Sequence, residues 1–166
     1  FLLTGSSARK LRRGAANLLA GRAWTADLCS LTSAELPDFD LERYLRYGGL
    51  PPVWLSGDPD EELAAYVQTY LREEIRAEAL VRNLSGFVRF LPIAALFHGQ
   101  VINVSAVARD AGVSRTTVAG YIDILEDTLL AVRLPAYEAR LRVRERKHPK
   151  LYWVDAGIVR AAKQAD

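Results

Sequence analysis

The stretch at residues 104–118, VSAVARDAGVSRTTV, constrains this chain more than any other. Its spacing is that of two short helices joined by a tight turn. Ser105 is expected to cap the first helix, with Val107 and Ala108 facing inward, and Ala108 is small because the two helices cross there at close range. Gly112 supplies the positive backbone angle that the turn needs and that other residues adopt only at a cost. Val113 is expected to plug the core beneath the turn. Ser114 caps the second helix, whose buried stripe is Val118, Ile122 and Leu125. After the acidic break at residues 126–128, residues 129–134 have strand character. Residues 137–143 then place Tyr137, Ala139, Leu141 and Val143 on one side and Glu138, Arg140, Arg142 and Arg144 on the other, the alternation of a half-exposed strand. A helix pair followed by such a hairpin specifies a winged helix-turn-helix.

Around that unit the chain reads as helical. Residues 1–4 form an apolar strand that would sit inside a sheet, and residues 8–20 a helix between Ser7 and Gly21. Residues 40–47 place Leu41, Tyr44 and Leu45 on one face, and Gly48-Gly49-Leu50-Pro51-Pro52 ends that helix. Asp58-Pro59-Asp60-Glu61-Glu62 opens a long helix running to about residue 80, with Leu63, Tyr66, Val67, Tyr70, Leu71 and Ile75 on one side. Residues 85–98 form another helix, closed by Gly99. The expected fold is therefore mainly α: a helical bundle plus a winged helix-turn-helix, with remnant strands of flanking α/β domains at both ends. Four parts follow: 1–36, the tail of one domain; 37–100, a helical lid or linker; 101–147, the winged helix; and 148–166, the start of a further domain. The apolar opening Phe1-Leu2-Leu3 and the lack of any methionine lead us to expect a chain cut through a domain.

Charge is uneven along the chain. Residues 8–22 carry Arg9, Lys10, Arg12, Arg13 and Arg22 with no acid, residues 26–62 carry nine acids against Arg43 and Arg46, and residues 133–150 carry seven basic groups against Glu138 and Glu145. The second helix of a helix-turn-helix ordinarily enters the major groove of duplex DNA and reads bases from its first turns. Here Ser114, Arg115 and Thr116 occupy that position, followed by Ala119 and Asp123. Residues 105–127 hold two basic groups against four acids, so this helix alone would bind phosphates weakly. The basic strand with Arg140, Arg142 and Arg144 is the expected source of the missing attraction. DNA contact and a structural or protein-contacting role, including self-association, both stay open on the sequence. No apolar run approaches the roughly 18 residues of a membrane span, no secretory leader is visible, and the single Cys29 makes a reducing cytoplasm the expected compartment.

At the N-terminus, Leu2-Leu3-Thr4-Gly5-Ser6-Ser7 brings hydroxyls to the end of a strand, followed by an arginine-rich helix. Strands that sense the terminal phosphate of a nucleotide end this way, and so do ordinary serine-capped strand-to-helix turns. The chain contains no G-x-x-x-x-G-K-[ST] phosphate loop. Taken with LLTGSSARKL at 2–11, the segments LLAGRA at 18–23, YGGLP at 47–51, YLREEI at 70–75, the helix-turn-helix at 104–130 and HPKLYWVDAGI at 148–158 resemble, in this order, the prokaryotic AAA-type ATPases that carry a C-terminal domain of unknown function. The resemblance implies an internal fragment of an ATPase that uses ATP and magnesium in the full-length protein, the fragment itself not being catalytic. It implies that Thr4 and Ser6 are phosphate-sensing positions, that Arg9 and Arg22 are candidates for contact with nucleotide or a neighbouring subunit, and that residues 150–158 begin a nuclease-like domain.

The remaining polar residues suggest no further chemistry. His98 is expected to end a helix and His148 to lie in a loop, with no metal-ligand spacing at either. Asp155 reads as a turn or cap residue, Cys29 as an inert core thiol, and Trp24, Trp54 and Trp153 as core anchors.

Overall fold

A computed structural model describes residues 26–70, 75, 84–137 and 148–164. The first described helix, α1 (Leu41–Tyr47), starts where the Asp40 carboxylate accepts the Arg43 N–H at 3.1 Å, and ends at Gly48, where φ is 76°. Two prolines open α2 (Pro51–Leu55), and α3 (Pro59–Ala65) starts with Asp58 capping the Glu61 N–H at 3.1 Å and three acids in its first turn. The long helix expected from residue 58 does not continue unchanged: α3 passes into a π-helical turn at Tyr66–Tyr70. Leu63, Val67 and Ile75 are nevertheless buried, as the apolar stripe requires.

The second half begins with α4 (Leu84–Leu96), then β1 (Gln100–Val101), α5 (Val104–Ala111), α6 (Arg115–Asp127), β2 (Ala131–Leu134), β3 (Lys150–Trp153) and α7 (Ala156–Gln164). The three strands form one antiparallel sheet in the order β1-β3-β2, with Gln100 opposite Leu151 and Ala131 opposite Trp153. The described fold is mainly helical with this small antiparallel sheet, as expected of the fold class. One expectation differs. Residues 150–153, read from sequence as the first strand of another domain, form the central strand of this sheet: Leu151 and Trp153 alternate into the core, and Lys150 and Tyr152 point outward. The described partner of β2 is this strand. Of the stretch 137–143 expected to pair with it, residues 138–143 lie outside the described residues, as does the N-terminal strand at 1–4.

One continuous core joins these elements, running from Val53 and Leu63 through Phe87 and Phe90 to Val118, Trp153 and Ala162. Phe87 meets Tyr121 edge to face and Phe90 meets it at a tilt, with ring centroids 5.1 and 5.2 Å away, fastening α4 to α6. The Trp153 indole N–H donates to the Ala94 carbonyl at 3.3 Å, fastening β3 to α4. Helix α7 covers α4 and α1, and Arg160 donates to the Arg46 carbonyl at 2.8 Å while pairing with Asp60. The helices before residue 100 and the helix-turn-helix thus share apolar burial, although the sequence pattern divides them at residue 100.

The junction between α1 and α7 is tight. The buried Asp155 accepts the Gly49 N–H at 2.8 Å with one oxygen and the Ile158 N–H at 3.1 Å with the other, so it caps α7 and grips the loop after α1. A methyl group at Gly157 would lie 2.1 Å from the Tyr47 carbonyl oxygen, which shows how closely the two backbones pass. Asp155 is therefore a cap, as the sequence suggests, with a second, long-range role. Cys29 differs from expectation: it is exposed. So are Leu41 and Leu45, at 60% and 63%, because α1 meets the core through Tyr47 instead, while Tyr44 packs beside Phe39 and Trp54. Trp153 is buried, whereas Trp54 is half-covered, with the Arg43 guanidinium 4.8 Å above its ring.

Candidate nucleic-acid interface

The turn between α5 and α6 forms by local chemistry. Asn103, rather than Ser105, caps α5: its side-chain oxygen accepts the Ser105 N–H at 3.0 Å and the Ala106 N–H at 3.1 Å. Asn103 lies in extended backbone one residue before the helix, and Ser105 is already inside it. At the other end Gly112 is left-handed (φ 65°), the Val113 N–H reaches the Ala108 carbonyl and the Gly112 N–H reaches Arg109. This paired closure satisfies the last carbonyls of α5. Ser114 then caps α6, its hydroxyl accepting the Thr117 N–H at 3.1 Å. Val118, Ile122 and Leu125 are buried, as their spacing predicts.

The first turn of α6 gathers Ser114, Arg115 and Thr116, all exposed. The Ser114 hydroxyl lies 3.0 Å from that of Thr116 and 2.8 Å from that of Thr117, a hydroxyl cluster at the positive end of the helix. Exposed Ala119 and Asp123 continue this face, and beside them Gly120 leaves open space where a side chain would stand. The helix surface is therefore low and approachable.

Beyond α6 the chain turns back on itself. The Leu130 N–H bonds to the Leu125 carbonyl and the Leu129 N–H to Glu126, with Leu129 left-handed at φ 60°. Strand β2 then retraces the last turns of α6. The Arg133 backbone N–H donates to Glu126 at 2.8 Å, its Nε donates to the other oxygen of Glu126 at 2.8 Å, and its Nη2 bonds to Glu126 and, at 2.8 Å, to Asp123. Burial alone would raise the Glu126 pKa, but the hydrogen bonds and charge of Arg133 outweigh it and hold that carboxyl below its ordinary range. The hydrogen bond to Glu126 in turn raises Arg133, against the effect of its burial.

Ser114, Arg115 and Thr116 are thus brought together on one turn. Arg140, Arg142 and Arg144 lie outside the described residues, in the connection between Leu134 and Lys150, which are paired neighbours in the sheet. Thr4, Ser6, Arg9 and Arg22 also lie outside them. Sequence reading missed Arg133, whose partners sit on another element; the strand register alone carries that signal. Among the described residues no group of His, Cys, Asp and Glu is placed to hold a metal ion, and no helix is long and apolar enough to cross a membrane.

Fold and surface together define a mainly helical domain built around a helix-turn-helix and a three-stranded antiparallel sheet. The chain belongs to the family described as Domain of unknown function (DUF8612), which matches residues 38–166. It is similar to the uncharacterized protein Rv2008c of Mycobacterium tuberculosis and to Mb2031c of Mycobacterium bovis, each 29% identical over 96% of this chain and 37% of the relative. An uncharacterized protein of Haemophilus influenzae is 26% identical over 98% of this chain and 45% of its own length. The chain therefore spans less than half the length of these relatives. No solved structure matches it significantly.

Proposed function

We propose that this chain is the part of a larger AAA-type ATPase that contacts duplex DNA, through a winged helix in which α6 reads the groove and the β2–β3 connection grips phosphates. The observation that carries this reading is the return of β2 along α6. It directs the chain at Leu134 back toward the end of α6 where Ser114, Arg115 and Thr116 are exposed, and the next segment holds Arg140, Arg142, Arg144, Arg146 and Lys147. Arg133 also neutralises Asp123 and Glu126, two of the acids that would repel phosphate. ATP and magnesium belong, in this reading, to the whole protein, on the strength of the motif order from residue 2 to residue 158. The test is binding of the full chain to a labelled duplex across a range of salt. Replacing Arg140, Arg142 and Arg144 with alanine should weaken binding and flatten the dependence of log K on log salt by about 2 to 3 if each touches a phosphate. Wild-type protein that leaves duplex DNA unbound at low salt would sink this reading.

A second reading, contact with protein, draws on the outer face of the sheet. Val132 lies opposite Tyr152 and Leu134 opposite Lys150, with Val101 across from Lys150 on the other side. Val101, Val132 and Leu134 are each more than half exposed on this face.

A further inference from the structure

The turn of the helix-turn-helix is reached by a cation from outside it. Arg89 lies on α4 between the buried Phe87 and Phe90, whose rings against Tyr121 fix that stretch of α4 to α6. Arg89 itself is exposed, and its side chain runs to the end of α5, where Nε donates to the Ala111 carbonyl at 3.1 Å. A methyl group at Gly112 would lie 4.0 Å from its Nη2, so the guanidinium stands over the turn. Two residues of chain, at most about 7 Å, separate Gly112 from Ser114, which sets this cation beside the exposed Ser114, Arg115 and Thr116. Its charge reaches α6 as well: burial raises the Tyr121 pKa, and Arg89 lowers it. Arg109 is paired with Asp110, and Arg133 with Asp123 and Glu126, whereas Arg89 meets no acid within 4.0 Å among the described residues. Among those residues only its Nε is engaged, and the other N–H groups of a guanidinium form the fork that matches phosphate oxygens. We infer that Arg89 is a phosphate-contacting residue of the DNA surface: braced on Ala111, it seats the duplex backbone beside the turn while the first turn of α6 faces the bases. This inference rests on the DNA reading above.

The experiment measures affinity of the full chain for a labelled random-sequence duplex, and its salt dependence, in wild type, Arg89→Gln and Arg89→Lys. One lost phosphate contact predicts that Arg89→Gln flattens the dependence of log K on log salt by about one and weakens binding about five- to tenfold at about 0.1 M salt. Arg89→Lys keeps the charge and gives up the fork, so its slope should match wild type with affinity reduced about twofold. An unchanged slope in Arg89→Gln would leave Arg89 as a brace for the end of α5 and overturn the inference, whatever the affinity. A slope as flat in Arg89→Lys as in Arg89→Gln would overturn it too, because the effect would then follow the loss of the brace and not the loss of the charge. Should the glutamine variant fail to fold, as judged by circular dichroism, the Arg89 Nε–H resonance of wild type decides: added duplex should shift it, and an unmoved signal overturns the inference. Wild-type protein that leaves the duplex unbound refutes the functional reading itself, a result distinguishable from bound wild type whose slope survives Arg89→Gln.

Discussion

Gly48 and Gly112 both turn the chain at a positive φ, 76° and 65°, yet different forces hold them. Gly112 stands in the open: the nearest atom to a methyl group placed there is an Arg89 guanidinium nitrogen 4.0 Å away. Its turn is closed by hydrogen bonds to Ala108 and Arg109, within one helical turn. Gly48 is buried, and a methyl group there would fall 1.9 Å from the carboxylate of Asp155, which lies more than a hundred residues along the chain. The first glycine answers a local need of the backbone. The second answers a long-range one, because two segments must pass closely enough for one carboxylate to bridge them.

The largest expected effect separates these two directly. Gly48→Ala combines the penalty of a positive φ at extended ψ with an overlap that only movement of Asp155 can relieve, and should cost about 4 kcal/mol. Gly112→Ala carries the backbone penalty alone and should cost about 1 kcal/mol. Urea denaturation of the two variants checks the difference, and equal costs would mean that the α1–α7 junction yields easily. Next comes Asp155→Ala, which leaves the buried Gly49 N–H and the Ile158 N–H without their acceptor and removes the cap of α7. A loss of about 3 kcal/mol is expected. Asp155→Asn keeps one acceptor oxygen and should lose about half as much. An alanine variant as stable as wild type would show that the junction is held by apolar packing and not by the bridge.

The contrast also explains what was legible in the sequence. The helix-turn-helix could be read almost whole, because a left-handed glycine, a serine cap and an apolar stripe at helical spacing are written within a few residues of one another. Its misreading was local too: Asn103 was passed over for Ser105, although both residue types cap helices. Leu129 shows the limit of that legibility. It takes the same left-handed position after α6 that Gly112 takes after α5, with the same pair of closing hydrogen bonds, but a leucine there gives no sign of it. The expected strand therefore starts two residues late, at Ala131. Gly48-Gly49 and Asp155 were each read correctly as a helix stop and a cap, yet nothing in the spacing said that they meet. Arg133 was invisible for the same reason: its partners Asp123 and Glu126 lie on the helix, and only the register of β2 brings them within reach. Apolar residues at Leu41 and Leu45 mark a helix without marking its inner face, which Tyr47 takes.

A smaller effect tests whether another long-range contact behaves as the Asp155 bridge does. His98 Nδ1 accepts the backbone N–H of Trp153 at 3.1 Å, tying the end of α4 to β3 across 55 positions. Only a ring nitrogen without its proton can accept that bond, so the folded structure favours neutral imidazole. Burial lowers the His98 pKa, and the charge of Lys163 lowers it further. The unfolded chain therefore takes up a proton first as pH falls. The stabilisation is complete above the ordinary histidine pKa of about 6.5 and is lost as pH drops through the lower folded value. Urea midpoints measured from pH 8 to pH 5 should decline in wild type over the acid half of that range. In His98→Gln, whose amide does not titrate, the part of the decline owed to this contact should disappear. Superimposable profiles for the two proteins would show that the contact between His98 and the Trp153 N–H adds no pH-dependent stability.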